Sequence, residues 1–182
     1  GKKKEAAMFL TKVEEQNFSS TRIKELLFYS FLKLNKKNKA EKVFKEMSLK
    51  DLNLKPYKMS YFLNNDYLLN PIKTQRDGLA EILYNISSWY YQKNLFKYSI
   101  FFGKLSLRVR PNFNAMKLLV VNALEGIGYE QLAIDLISNV NKRNLYFMKF
   151  IRLKNSLQEN TTSDKQLLDD LKNLSRSEEH TS

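Results

Sequence analysis

Cysteine is absent from this chain of 182 residues, and histidine, glycine and proline are scarce. Without cysteine there are no disulfides, thiolate nucleophiles or Cys-ligated metals. Five glycines and three prolines are too few for the tight turns of a β-sandwich or barrel, whereas helical hairpins need few turns. Lys97, Lys104 and Lys117 interrupt the most apolar stretches, so no run reaches the roughly eighteen residues of a membrane span. These absences favour an all-α protein without a membrane span.

The one histidine, His180, lies in the terminal segment RSEEHTS (Arg176 to Ser182), which resembles a translated sequencing adapter. We expect residues 176–182 to be an artefactual tail, the alternative being a natural polar terminus. The sequence also begins at Gly1 without a methionine, so we expect a fragment and assign no compartment.

Removing that tail also removes imidazole chemistry. Nucleophile–base pairs, His-ligated zinc and imidazole acid–base catalysis then lose their usual side chains. Asp169 and Asp170 are neighbours on a predicted helix and point in different directions, which disfavours a shared acid–base site. We therefore predict no enzymatic activity, no cofactor and no metal.

The residues that are abundant are apolar and basic. Hydrophobic residues make up 43% of the chain and aromatic residues 13%, which is enough for a folded core. The net charge is +12, and only seven of the 31 basic residues are arginine, the side chain usually preferred for phosphate contacts. The charge has two interpretations: an A·T-rich coding composition that supplies lysine and asparagine, or a polyanion-binding surface.

Hydrophobic periodicity divides the chain into helices. Residues 1–48 contain apolar stripes at 6–13, 23–34 and 40–47, which predict N-terminal helices with one degenerate hairpin. Residues 49–76 form an irregular helical connection, in which Pro56 opens a predicted helix over Tyr57 to Leu69.

From residue 77 to 175 the pattern is cleaner. It predicts helices at 79–93, 95–108, 112–124 and 129–140, followed by a hairpin over 145–174. Asn94 is the expected N-cap of the second helix, and Gly126 to Gly128 end the third. Ser163 and Gln166 have the spacing of a capping box.

The segment 83–140 carries an internal repeat. Ser99 and Ala133 are 34 residues apart, as are Tyr90 and Leu124. With its alternating large and small residues and its closing proline, the segment resembles a tetratricopeptide repeat (TPR) of bacterial type. The repeat-defining residues are Leu83, Ser87, Tyr90, Ser99, Ser106, Pro111, Leu124, Gly128, Ala133 and Ile137.

This resemblance implies a fold of stacked antiparallel helical hairpins in a right-handed α-solenoid, with units at about 80–113, 114–147 and 148–175. Two residues depart from the pattern, because Gly103 stands where a large residue is usual and Val121 where a small one is usual. The alternative fold is an unrelated helical bundle with similar apolar stripes.

The resemblance also implies a function, namely a non-catalytic scaffold that binds a peptide or partner protein in a concave groove lined by the first helix of each hairpin. The groove residues projected onto this sequence are Glu81, Tyr84, Ser88, Tyr91, Ala115, Leu118, Asn122 and Glu125. Tyr84 and Tyr91 have a second interpretation as packing residues against an adjacent hairpin.

Two other functions remain open. The first is a basic protein that binds nucleic acid or an anionic surface, favoured by lysines interleaved with aromatic residues in SSWYYQKNLFKYSIFF, although most of those aromatics lie at core spacing. The second is a structural unit of a larger envelope or secretion-related protein.

Overall fold

The computed structural model describes residues 4–5, 8–9, 11–12, 20–141 and 144–162. Over these ranges the regular secondary structure is helical and no strand occurs, which confirms the all-α class. Several sequence-based predictions lie outside the described residues: most of the helix at 6–13, the capping box at Ser163 and Gln166, Asp169 with Asp170, and the tail with His180.

The first two long helices form a hairpin. Helix α1 (Thr21–Lys33) begins at Ser20, whose hydroxyl accepts the N–H of Ile23 at 3.2 Å. Asn35, with a φ of 54°, turns the chain into helix α2 (Lys37–Lys50). The ring centroid of Phe28 on α1 lies 5.3 Å from that of Phe44 on α2, so the two helices share an aromatic core.

The next segment is irregular. It contains 3-10 turns at Leu52–Leu54 and Asp66–Leu69, with a short helix α3 (Tyr61–Asn64) between them. The predicted continuous helix over Tyr57 to Leu69 is therefore wrong. Asn65 gives the local reason, because its side-chain amide donates to the carbonyl of Tyr61 at 2.9 Å and competes with helical hydrogen bonding.

Helices α4 (Gln75–Gln92) and α5 (Phe96–Val109) form the longest hairpin that the structure describes. A capping box between Thr74 and Asp77 begins α4. Asn94 was expected to be the N-cap of α5, but its φ of 57° is left-handed and the N-cap is Leu95. Asn94 therefore belongs to the turn that ends α4, a conformation that asparagine tolerates better than most residues.

Small residues bring α4 and α5 close together. The hydroxyl of Ser87 donates to the carbonyl of Ser99 at 2.8 Å, and that of Ser106 donates to the carbonyl of Ala80 at 2.9 Å. All four residues are fully buried. Because a side chain larger than serine would separate the helix backbones, these positions set the hairpin spacing.

Helices α6 (Asn114–Glu125) and α7 (Glu130–Ile137) follow, and a helix α8 occupies residues 147–162. Helix α6 packs against both α4 and α5, and α7 packs against α6. Gly103 on α5 explains one departure from the repeat pattern. A Cβ at this position would lie 2.3 Å from Cγ2 of Val120 on α6, so the missing side chain makes room for Val120.

Candidate functional site

The predicted groove residues lie on α4 and α6, but they differ in exposure. Glu81 and Ala115 are each 7% exposed, so they do not offer the accessible groove surface that was expected of them. The remaining six are half-buried: Tyr84, Ser88, Tyr91, Leu118, Asn122 and Glu125. Tyr84 packs against Phe113 with ring centroids 5.4 Å apart, and Tyr91 packs against Phe96 at the same distance. Both tyrosines therefore contribute to packing between helices.

Glu81 is buried because it belongs to a polar cluster centred on Arg22 of α1. Arg22 is 3% exposed, and its guanidinium donates to both carboxylate oxygens of Glu81. It also donates to Glu25 at 2.9 Å and to the carbonyls of Leu69 and Asn70 at 2.7 and 2.6 Å. We call this set the Arg22 cluster. It fixes α1 and the 66–70 turn against α4.

A second arginine extends the Arg22 cluster. Arg110, at the end of α5, pairs with Asp77 at 3.0 Å and with Glu81 at 3.4 Å, and donates to the carbonyl of Pro71 at 3.0 Å. The buried ring of Phe113 lies 5.1 Å from the guanidinium carbon of Arg22 and 5.0 Å from that of Arg110. Each positive charge therefore has a carboxylate partner and an aromatic face.

Two tyrosines close the Arg22 cluster on its other side. Tyr146, just before α8, donates its hydroxyl to Glu25, and burial raises the pKa of this hydroxyl well above its ordinary value. Burial, assisted by the negative charge of Glu25, also raises the pKa of Tyr84 to about 12. Both hydroxyls therefore stay protonated at neutral pH. The Glu81 end of the predicted groove is thus filled by the protein's own side chains.

An exposed apolar surface lies elsewhere, on the α4–α5 hairpin. Six of its residues are 38% to 58% exposed: Leu79, Ile82 and Trp89 on α4, and Tyr98, Phe101 and Leu105 on α5. We call this surface the outer face. Most aromatics of the segment SSWYYQKNLFKYSIFF were expected at core spacing, and Trp89, Tyr98 and Phe101 are the three of its seven aromatic residues that are exposed.

Ring contacts join the aromatic residues of the outer face into one strip. Trp89 contacts Tyr90 with centroids 5.0 Å apart, and Tyr90 stacks on Tyr98 at 5.3 Å and on Phe102 at 5.4 Å. Phe102 in turn contacts Phe101 at 5.3 Å. Leu105 follows Phe101 by one helical turn, which extends the strip along α5. A second apolar stripe runs along α4 at helical spacing and consists of Leu79, Ile82, Ile86 and Trp89. The outer face could have been predicted from this stripe.

The polar surroundings of the outer face are basic. The hairpin presents five exposed basic side chains: Arg76, Lys93, Lys97, Lys104 and Arg108. Its only acidic residues are Asp77 and Glu81, and both are held by arginines in the Arg22 cluster. The outer face is therefore an apolar strip in a positive field, which suits an anionic partner.

Among the described residues, no group of three or more acidic or histidine side chains is placed to hold a metal ion. No helix in the same ranges combines the length and the apolar character needed to cross a membrane.

Comparison with known proteins identifies no relative. No protein-family model matches the chain, and neither the curated proteins nor the solved structures contain a significant match.

Proposed function

We propose that this protein is a non-catalytic scaffold of TPR-like helical hairpins that binds a partner protein through the outer face. The partner element that fits this face is an amphipathic helix with an apolar stripe and acidic flanks. The single observation that carries the proposal is the joined aromatic strip of Trp89, Tyr90, Tyr98, Phe101 and Phe102.

The packing order supports the repeat part of this proposal. Helix α6 contacts both helices of the preceding hairpin and α7 contacts α6, as expected of hairpins that stack in sequence order in an α-solenoid. Ser99 and Ala133, 34 residues apart, are both fully buried, so the sequence period coincides with equivalent burial.

The exposure of the strip supports the binding part. Exposed tryptophan, tyrosine and phenylalanine contribute large contact areas and are typical of interface hot spots, whereas folded monomers seldom expose large joined apolar patches. Lys97 and Lys104 lie one turn before and one turn after Phe101 on the same side of α5, so carboxylates along one flank of a partner helix would meet both lysines. Of the predicted groove residues, Ser88, Tyr91 and Asn122 are half-buried and not fully buried. A peptide bound in the concave groove would therefore contact this end of it.

The test uses two synthetic amphipathic helices with one shared apolar stripe, flanked by glutamate in one peptide and by lysine in the other. Trp89 is the chain's only tryptophan, so its fluorescence reports binding at the outer face directly. We expect the acidic peptide to bind at least about tenfold more tightly than the basic one, a difference of about 1.4 kcal/mol. Equal affinities, or no binding of either peptide, would contradict the proposal.

Matched variants locate the site. Phe101→Ala and Lys104→Glu are expected to weaken binding of the acidic peptide, because they remove part of the strip and reverse one flanking charge. Leu132→Ala removes an apolar side chain that is 50% exposed on α7, away from the outer face, and should leave the affinity unchanged. If Leu132→Ala weakened binding as much as Phe101→Ala, the peptide would not be docked on the outer face.

A second function is favoured by the same lysines. Single-stranded nucleic acid binds to aromatic side chains that stack with bases beside basic residues, and the exposed rings of Trp89, Tyr98 and Phe101 lie next to Lys97 and Lys104. Binding of an oligothymidylate that quenches Trp89 and weakens steeply with salt, together with no peptide binding, would favour this alternative.

A further inference from the structure

A polar cleft of about 490 Å³ lies between the start of α6, the 66–70 turn and the segment that follows α7. Its lining is dominated by six asparagines: Asn70, Asn112, Asn114, Asn139, Asn141 and Asn144. Tyr67, Leu68 and Val140 supply an apolar part of the lining, and no carboxylate among the described residues lines the cleft. The cleft is separate from the outer face, and the repeat pattern does not account for it.

Two of the asparagines have their amide orientation fixed. Oδ1 of Asn70 accepts the backbone N–H of Asn114 at 3.2 Å, and Oδ1 of Asn144 accepts the backbone N–H of Tyr146 at 2.9 Å. Because a backbone N–H can only donate, the atom it contacts in each amide is Oδ1, and the NH₂ group is left to donate to a ligand. Asn70 and Asn144 therefore contribute hydrogen-bond donors to the lining.

Lys117 supplies the charge. It projects from α6 into the lining and is half-buried, and no described carboxylate forms an ion pair with it. Burial lowers the pKa of its ammonium group, with no opposing contribution from an acidic neighbour. A partly desolvated cation without a counter-charge is stabilised by an incoming anion.

We propose that this cleft binds a small polyhydroxylated anion, namely a sugar acid or a sugar phosphate. Lys117 contacts the carboxylate or phosphate, with the NH₂ groups of Asn70 and Asn144 donating to the same anionic end. The side chains of Asn112 and Asn139 face hydroxyl groups, which match primary amides because both groups donate and accept hydrogen bonds. The polar part of the lining is larger than the apolar part, which favours a polar ligand.

The test is isothermal titration calorimetry of the whole chain with gluconate, glucose 6-phosphate, glucose and inorganic phosphate. We expect at least one of the two sugar anions to bind, with glucose and inorganic phosphate each weaker by about tenfold or more. Preference for gluconate identifies a sugar acid, and preference for glucose 6-phosphate identifies a sugar phosphate. Failure of both sugar anions to bind, or equally tight binding of glucose or inorganic phosphate, overturns the proposal.

Variants assign the anion contact. Lys117→Met should weaken sugar-anion binding by about tenfold or more, whereas Lys45→Met, at an exposed position on α2, removes the same charge and should change nothing. Asn139→Asp tests the cleft without altering Lys117, because an added carboxylate in the lining repels the anion and lowers its affinity. Unchanged affinity in both Lys117→Met and Asn139→Asp would overturn the proposal. Peptide binding at the outer face should be unaffected by either variant.

Discussion

Replacing Arg22 with methionine is expected to destabilise the fold strongly while leaving the apolar stem of the side chain in place. The guanidinium is 3% exposed and satisfies Glu81, Glu25 and two backbone carbonyls at once. After the substitution Glu25 retains the hydroxyl of Tyr146, and Glu81 retains only Arg110 at 3.4 Å. Two carboxylates would then stay buried with only one of the two arginines of the Arg22 cluster left.

The expected loss is about 3–5 kcal/mol in the free energy of unfolding, since breaking a buried ion pair by removing one partner leaves an uncompensated charge. Domains of this size have total stabilities of about 5–15 kcal/mol, so Arg22→Met should cost about a fifth of the whole or more. Changing Glu81 to leucine in the same chain removes one of the stranded carboxylates and should recover part of that loss.

Urea unfolding followed by far-ultraviolet circular dichroism measures this loss as a lower midpoint at an unchanged slope. Arg152→Met is the matched control, because Arg152 is exposed on α8 and its replacement should stay within about 0.5 kcal/mol of the parent. A loss below about 1 kcal/mol for Arg22→Met would refute the view that the Arg22 cluster holds α1 against α4.

Two further predictions concern Tyr84 and Gly103. The pKa of Tyr84 is raised by burial to about 12 against an unfolded value of about 10, so above pH 10 the unfolded chain releases a proton that the folded chain keeps. Stability should therefore fall from pH 10 to 12, by on the order of 2 kcal/mol from this residue, and Tyr84→Phe should flatten the fall in alkaline urea titrations. Gly103→Ala places a methyl group 2.3 Å from Val120, and we expect overpacking of about 1–3 kcal/mol to exceed the gain in helix propensity of about 1 kcal/mol. A thermal melt with a raised midpoint would contradict the second prediction.

The helices from α4 to α7 could be predicted from the sequence because their apolar stripes are regular. The predicted 79–93 and 95–108 correspond to Gln75–Gln92 and Phe96–Val109, with errors of a few residues at the ends. The buried serines Ser87, Ser99 and Ser106 were also predicted as repeat-defining residues, since small residues recur at fixed places in the repeat. Local periodicity was sufficient for these features.

The features that depend on distant partners could not be predicted. Arg22 and Glu81 are 59 residues apart, and an arginine on an amphipathic helix is usually solvated, so nothing in the sequence pairs them. Similarly, apolar periodicity does not show whether another helix covers an apolar stripe. The stripe that contains Phe101 is exposed, and its spacing in the sequence does not indicate this. The cleft at Lys117 brings together asparagines from three separate segments of the chain. In the sequence these asparagines look like ordinary polar turn residues, so their proximity could not be predicted.

The hydrogen bond between Tyr146 and Glu25 joins residues 121 positions apart, and this distance has a consequence for biosynthesis. At about 5–20 residues per second, the ribosome needs roughly 6 to 24 seconds after adding Glu25 before it adds Tyr146. During that interval Glu25 on α1 lacks the hydroxyl group that it accepts a hydrogen bond from in the folded chain. The nascent N-terminal hairpin must therefore keep the Glu25 carboxylate hydrated until Tyr146 has been synthesised.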